Sequence, residues 1–526
     1  MKILSSAAMK EADRQTIEEI GMPGALLMET AGMRVVELLL SEQPSVKKVV
    51  VLAGPGNNGG DGLVIARLLQ NAGITVSLWS TVKAGKYKGD AGINEHYLDQ
   101  VGFPVHRILD YAGLENFREA INRTDLIVDA LLGIGTDRDV EGLLAGIIES
   151  VNSSETPVLS VDIPSGLNAD SGAVMGCAIC ADWTVTFAFP KLGLLNYQGA
   201  DQAGEIHVAQ INIPSFLVED EPVDLLTAEQ VANLLPARPY LSHKGSLGSL
   251  TIIAGSPGMS GAAALAGESA LKSGAGLVYL AAPQGLCAVI DAKLAEVITI
   301  ALPESEPGVI SSSAVGPILE KLNSCQALAV GPGLKPGSET AALLEILIKN
   351  IQVPLVLDAG ALDGLKGRLE LFKEAKFPPV LTPHPGEMAR LINASVSDIQ
   401  KNRLSIVLKY ARIWNCILLL KGHNTIIATP EGRAFINPTG GPSLATAGSG
   451  DLLTGMIASL IAQGVSAENA AGAGAFIHGL AGDMVPEGRG HMAGDVMAYY
   501  KEAFSYLGKI KEHKSKNNFI FKVKPY

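Results

Sequence analysis

The chain has little cysteine, few aromatic side chains and a deficit of positive charge. Its 526 residues carry 5 cysteines, 3 tryptophans and 53 acidic against 41 basic groups, for a formal net charge of −12. That balance gives nucleic acid or an anionic membrane surface no general attraction, so an anionic ligand has to be captured locally, by backbone N–H groups. Only Cys177 and Cys180 form a C-x-x-C; with no second pair and no nearby histidine they read as structural thiols. No uninterrupted apolar run approaches the ~18 residues of a membrane span. The opening MKILSSAAMKEADRQTIEEIG has no apolar leader core, so a soluble, cytoplasmic enzyme is expected. What the chain does have is glycine, 58 residues, and apolar side chains, 47%. Those values describe a well-buried globular protein with many tight turns, and the length predicts two or three domains.

Short β-branched runs alternate with amphipathic helical patterns. In the first part they fall at 46–53, 74–80, 126–132, 158–163, 183–189 and 205–211. Continuous apolar runs of this kind are buried parallel strands, and right-handed crossovers turn them into a three-layer α/β/α sandwich. A proline-rich, acidic break follows, and strand-like runs resume at 249–254, 277–282, 327–330, 355–358, 380–382 and 417–420. The runs 425–428 and 434–436 flank TPEG and read as a hairpin. The predicted organisation is a first domain at 1–215, a linker at 216–240, a second domain at 241–510 and a basic tail at 511–526, solvated or forming a trailing strand.

The stretch VVVLAGPGNNGGDGLVIARLL ends an apolar strand in a glycine loop and opens a helix. Gly54, Gly56 and Gly59 satisfy the dinucleotide fingerprint G-x-G-x-x-G. That fingerprint requires a ribose-binding acid at the end of the next strand, which here reads VSLWSTVK and has none. The loop also lacks the Gly-Lys-Ser/Thr of a P-loop. Two further strand ends, IVDALLGIGTDRDVEG and SVDIPSGLNADSG, are rich in polar groups. Asn58, Asp129, Asp162 and Ser165 converge if those three strands are neighbours, because ligands bind beyond the carboxyl ends of such strands.

The combination of AGPGNNGGDG, VDALLGIGT, VDIPSG and TFAFPKLG resembles the N-terminal epimerase half of the bifunctional NAD(P)H-hydrate repair enzymes, over residues 1 to 215. The resemblance implies a Rossmann-like domain in which Asn58, Asp129 and Ser165 hold a potassium ion. It also implies that the hydrated nicotinamide nucleotide touches Asn57, Asn58, Gly59, Gly60 and Asp61, then Gly133, Ile134, Gly135, Thr136, Asp137, Arg138 and Asp139, and Asp162. Epimerisation at C6 needs an acid/base carboxylate, and Asp129 is the first choice. Where the family commonly has Met-Glu-Asn, this chain has Met28-Glu29-Thr30.

In the second half, GGPSLATAGSGDLLTGMIASLIAQG carries the strongest chemical signal. Gly448, Ser449 and Gly450 open a helix, so free N–H groups and the positive dipole end form an anion hole. Asp451 in its first turn is either a helix cap or the base beside a transferring phosphoryl group. The set SHKGSLG, GAGLV, GPGL, TPHPGE and AGSGDLLTG resembles the ribokinase-like ADP- or ATP-dependent NAD(P)H-hydrate dehydratases, over residues 225 to 505. The resemblance implies that Ala262, Gly333, His384 and Asp451 contact the hydrate. Lys421, Gly422, His423, Asn424, Thr425 and Gly450 would contact the adenine nucleotide, ADP with Mg2+. Where relatives often have Asp-Ala-Asp-Ala-Leu-Asn, this chain has Asp358-Ala359-Gly360-Ala361-Leu362-Asp363.

The expected function is repair of hydrated NADH and NADPH by a bifunctional epimerase and ADP-dependent dehydratase, in a homo-oligomer. Two other readings compete: a small-molecule kinase judged from Asp451 and its anion hole alone, and a dehydratase fused to a non-catalytic binding module.

Overall fold

The structure is a computed structural model and describes residues 1–512 and 520–523. The chain divides into two compact units. The first is Met1–Glu221 with the strand at 520–522; the second runs from Pro222 through the helix Tyr500–Glu512.

The first unit is built on strands β1 (Lys48–Ala53), β2 (Thr75–Ser80), β3 (Val105–Arg107), β4 (Leu126–Ala130), β5 (Val158–Val161), β6 (Trp183–Phe187) and β7 (Glu205–Ala209). They lie in the order β3-β2-β1-β4-β5-β6-β7, all parallel. This is the doubly wound order, whose switch point falls between β1 and β4. Strand periodicity makes the three layers. Val49, Val51 and Ala53 pack with residues of the helices Gly24–Glu42 and Asn57–Asn71. Val50 and Leu52 pack with residues of Tyr111–Ile121 and Gly142–Asn152 on the other face.

The turn after β1 depends on missing side chains. A Cβ on Gly54 would stand 1.7 Å from Leu131 O, and one on Gly59 would stand 1.8 Å from Gly54 O. The fingerprint glycines thus let the β1 and β4 ends and the helix start pack backbone to backbone.

The second unit carries β8 (Val223–Leu225), β9 (Ser249–Ile253), β10 (Leu277–Pro283), β11 (Ile298–Leu302), a small hairpin β12 (Glu304–Glu306) and β13 (Val309–Ile310), then β14 (Ala327–Val330), β15 (Leu355–Leu357), β16 (Val380–Leu381), β17 (Ile417–Leu420), β18 (Ile426–Ala428) and β19 (Ala434–Ile436). Ten of them form one sheet in the order β11-β10-β9-β14-β15-β16-β17-β18-β19-β8. The sheet is parallel except around β18, which pairs antiparallel with both β17 and β19. Leu250 and Ile252 pack with residues of the helices Ser260–Lys272 and Ser449–Ala462. Ile253, Leu328 and Val330 are equally buried, so both faces of the sheet are covered. Every residue from Leu452 to Ala462 is buried, as expected of a helix apolar all round.

One expectation is corrected. The stretch 216–240 is not a free linker. Val223 and Leu225 are buried and β8 pairs with β19. Thr227 and Gln230 form a capping box that starts the helix Ala228–Leu234, burying Val231 and Ala232; its prolines bracket these elements. The tail expected from residue 511 lies largely outside the described residues. Its described end, β20 (Ile520–Lys522), pairs antiparallel with β7 at the edge of the first sheet.

Candidate functional sites

A cavity of about 850 Å³ opens at the carboxyl ends of the first sheet, against the β1/β4 switch point. Its wall takes Asn57, Asn58 and Asp61 from the first turn of the helix Asn57–Asn71, the whole run Gly133, Ile134, Gly135, Thr136, Asp137, Arg138 and Asp139, and Asp162 after β5. Gly59 and Gly60 are not on the wall; Gly60 packs against Met28 and Ala91. The helix has Gly56 as its N-cap, with no side-chain cap, so its first N–H groups are left for a ligand.

Among the wall residues not foreseen as site residues are Asp13 and Lys191. Lys191 is 1% exposed and pairs directly with Asp162. It also donates to Thr186 Oγ1 (2.9 Å) and Phe187 O (3.0 Å). A lysine inside the apolar TFAFPKLG was the available signal. Asp162 sits at φ 64°, a left-handed conformation unusual for a non-glycine residue. Asp61 is 8% exposed and accepts no hydrogen bond among the described residues. Burial first, then the charges of Asp162 and Asp13, holds its carboxyl well above the usual range, against the opposing pull of Lys191. Burial pushes Asp13 up to about 6, with Lys191 opposing and Asp162 adding to the shift.

Asp129, expected to be the acid/base group, is not on the cavity wall. It is fully buried and its oxygens are taken by Ser160 Oγ (2.8 Å), Ser165 N (2.9 Å), Ser165 Oγ (2.6 Å) and Leu131 N (3.2 Å). Burial raises its pKa, and these donors oppose the shift. Four donors thus hold this carboxylate behind the wall. Beside it lies an orphan: Asn58 Nδ2 donates to Leu132 O (2.8 Å), but Asn58 Oδ1 is buried with no partner among the described residues. Ser165 Oγ also accepts from Leu132 N at 2.8 Å. Amide, hydroxyl and carboxylate oxygens carrying one negative charge fit a hard monovalent cation. Thr30 is absent from the wall and donates back to Leu26 O (2.8 Å) within its helix.

In the second unit the helix Ser449–Ala462 starts at Gly448, φ 93°, again with no side-chain cap. Lys421 and Asp358 stand at this end: a Cβ on Gly450 would lie 3.1 Å from Lys421 Nζ and 3.7 Å from Asp358 Oδ2. Lys421 pairs with Asp358 Oδ1 at 2.8 Å and lies 3.9 Å from Glu387 Oε2. Thr454 Oγ1 donates to Asp358 Oδ2 (2.8 Å). Burial alone would lower the Lys421 pKa, but Asp358, Glu387 and Asp451 outweigh it and hold the ammonium charged. Asp451 has no hydrogen-bond partner among the described residues, so it does not cap its helix. Burial, with Asp358 and Glu387, pushes it up to about 7 while Lys421 opposes.

His384 caps the helix Pro385–Ile392: its Nδ1 accepts from Gly386 N (3.0 Å) and Glu387 N (3.4 Å), which leaves Nε2 as the donor. Ala262 faces Gly333, whose Cβ would stand 3.1 Å from Ala262 Cβ. Gly422 abuts the guanidinium of Arg403, which is buried and holds Leu420 O and Lys421 O. Asn424 is buried at φ 49°, and Thr425 Oγ1 donates to Gly422 O (2.9 Å); His423 also lies in this turn. Asp358 and Glu387 were missed because each reads in sequence as a strand-end or capping acid. Gly360 follows from packing: a Cβ there would stand 2.1 Å from Leu334 O.

Two sandwich units, each with a site at the carboxyl ends of its strands and a glycine-opened helix for an anion, define a fused two-site enzyme for phosphate-bearing small molecules. The comparisons make this particular. The family described as YjeF-related protein N-terminus matches residues 24–193, and NAD(P)H-hydrate dehydratase matches 250–501. The bifunctional NAD(P)H-hydrate repair enzyme Nnr of Moorella thermoacetica is 43% identical, over 95% of this chain and 96% of its own. That of Thermofilum pendens is 39% identical, over 93% of each. The crystal structure of the ADP/ATP-dependent NAD(P)H-hydrate dehydratase from Bacillus subtilis, with ATP/Mg2+, is 29% identical; it covers 55% of this chain and 99% of its own, with a TM-score of 0.48. The chain belongs to the family of bifunctional NAD(P)H-hydrate repair enzymes.

Proposed function

We propose that the chain repairs hydrated NADH and NADPH in two steps, epimerising the hydrates at C6 in the first unit and dehydrating the S-hydrate at the expense of ADP in the second. The observation that carries this reading is the pairing, in one chain, of the Asp61–Asp162–Lys191 cavity with the Asp451 cluster at an uncapped helix end.

In the first unit the acid/base work belongs to the wall carboxyls rather than to Asp129. The ring nitrogen pushes out the C6 hydroxyl, which takes a proton from Asp61 and leaves as water. The resulting iminium is stabilised by the carboxylate of Asp162, held in place by Lys191. Water returns to either face of C6 and its proton goes back to Asp61, so the group ends as it began. The uncapped helix start, Arg138 and the 133–136 loop suit the phosphates. Asn58 Oδ1, Ser165 Oγ and Asp129 would hold potassium, which supplies fixed positive charge behind the wall.

In the second unit Asp451 accepts the proton of the C6 hydroxyl as its oxygen attacks the terminal phosphorus of ADP. The bond to AMP breaks, and the N–H groups at Ser449 and Gly450 receive the charge on the transferred group. The ring nitrogen then expels phosphate, the C5 proton passes to the departing phosphate to restore the dihydropyridine, and Asp451 returns its proton to water. Among the described residues no three His, Cys, Asp or Glu side chains converge as a metal site. Magnesium would therefore be held chiefly by the nucleotide's own phosphates, with one or two carboxylates at most.

The test is to incubate purified protein with mixed NADH-hydrate epimers and ADP and to follow NADH absorbance. Full recovery is expected. Recovery of the S-epimer alone would reduce the first unit to a binding module, and phosphorylation of an alcohol with no NADH would sink the repair reading.

A further inference from the structure

Behind the anion hole runs a buried polar chain that the proposed chemistry leaves unused. Ser449 Oγ lies 2.9 Å from His478 Nε2, and His478 Nδ1 lies 2.9 Å from Tyr500 OH. His478 and Tyr500 are 4% and 1% exposed, and the two rings meet edge to face. Two such groups so deep in an apolar core are costly to bury unless hydrogen-bonded, yet this pair ends on a residue of the helix start.

We infer that Tyr500 and His478 are positioning residues that turn the Ser449 hydroxyl proton toward the phosphate held at the helix N-terminus. The inference rests on reading that end as the nucleotide phosphate site. The direction of the chain follows from its inner end. The neighbouring Ser269 spends its own proton on Leu452 O (2.6 Å). The buried phenol therefore keeps its proton for Nδ1, an imidazole nitrogen being a better acceptor than an alcohol oxygen. The neutral ring then carries its hydrogen on Nε2 and donates to Ser449 Oγ. Burial, with the Lys421 charge, lowers His478 to about 4, so the ring holds one proton, not two. With Ser449 Oγ already accepting from the ring, its hydrogen is left for an anion. Without Tyr500 the ring can invert its tautomer, and Ser449 would spend its proton inward on Nε2.

The test is a double-mutant cycle on the full chain, with ADP binding measured by calorimetry. Ser449→Ala is expected to weaken ADP roughly tenfold, the size of a hydrogen bond to a charged group. Tyr500→Phe, which keeps the ring, should lose several-fold with little change in melting temperature. The double variant should bind no worse than Ser449→Ala. Multiplying penalties would show that Tyr500 acts through packing and would overturn the inference, as would an unaltered ADP affinity in Ser449→Ala. If the unsubstituted protein binds no ADP, the nucleotide-site reading itself fails, and the inference falls with it.

Discussion

Lys421 Nζ and Asp358 Oδ1 meet at 2.8 Å beneath the start of the helix Ser449–Ala462, so the lysine expected to grip the nucleotide is already paired. The pair sets the charge felt by Asp451. Asp358 makes ionisation of Asp451 harder and Lys421 makes it easier, with burial the largest contribution.

A base must be ionised to accept a proton, and Asp451 is pushed up to about 7. Dehydration kcat/KM should therefore rise with pH through about 7 and level off above it. Lys421→Met removes the opposing charge, so the limb should move to higher pH by about one pH unit. Asp358→Asn removes a like charge and should move it to lower pH. A pH–rate profile of each variant checks both signs; limbs that stay in place would remove Asp451 as the titrating group.

Asp61→Asn separates stability from activity. The folded chain holds a proton on Asp61 that the unfolded chain releases near its ordinary pKa, so stability falls as pH rises through the raised value. Asparagine lacks that penalty. The variant should gain on the parent as pH rises from the ordinary carboxyl range to the raised value, and keep that excess at higher pH. Loss of a general acid should cut epimerisation by about 10²- to 10⁴-fold. Thermal melts across pH and an epimer-equilibration assay read the two effects. A variant that melts lower at high pH would contradict the buried-acid account.

The strand runs and the TPEG hairpin were legible because buried strands announce themselves as short apolar runs, and β18 and β19 do pair. β3 and β11 were not, because their exposed or half-exposed positions break the apolar pattern. β8 was hidden between prolines. At the first site, motif spacing located the wall loops, but no pattern in sequence distinguishes Asp162, on the wall, from Asp129, locked behind it. That difference lies in where β4 and β5 end. Lys191 and Asp13 reach the cavity from outside the glycine loops, and only the fold brings them there.

The fingerprint glycines make a packing prediction. In Gly59→Ala the new Cβ would stand 1.8 Å from Gly54 O, a backbone atom with no rotamer to yield. Overpacking of this kind costs about 1–3 kcal/mol. Epimerisation should fall at least roughly tenfold, because the turn carries Asn58 and Asp61. Dehydration of the S-hydrate, measured in the same preparation, should persist. Loss of both activities together would show that the damage is not local to this turn.

The orphan oxygen of Asn58 yields the last prediction, with a readout independent of catalysis. A cation that binds only the folded state raises the melting temperature by mass action. The first unit should melt higher in potassium than in lithium at equal ionic strength, because potassium gives up its weaker hydration shell to protein oxygens more readily than lithium does. Asn58→Ala removes the unpaired acceptor and should abolish the difference between the two salts. Asn58→Asp, which keeps an oxygen and adds charge, should retain a cation effect. A potassium shift that survives Asn58→Ala would place the ion elsewhere and leave Asn58 Oδ1 for the substrate.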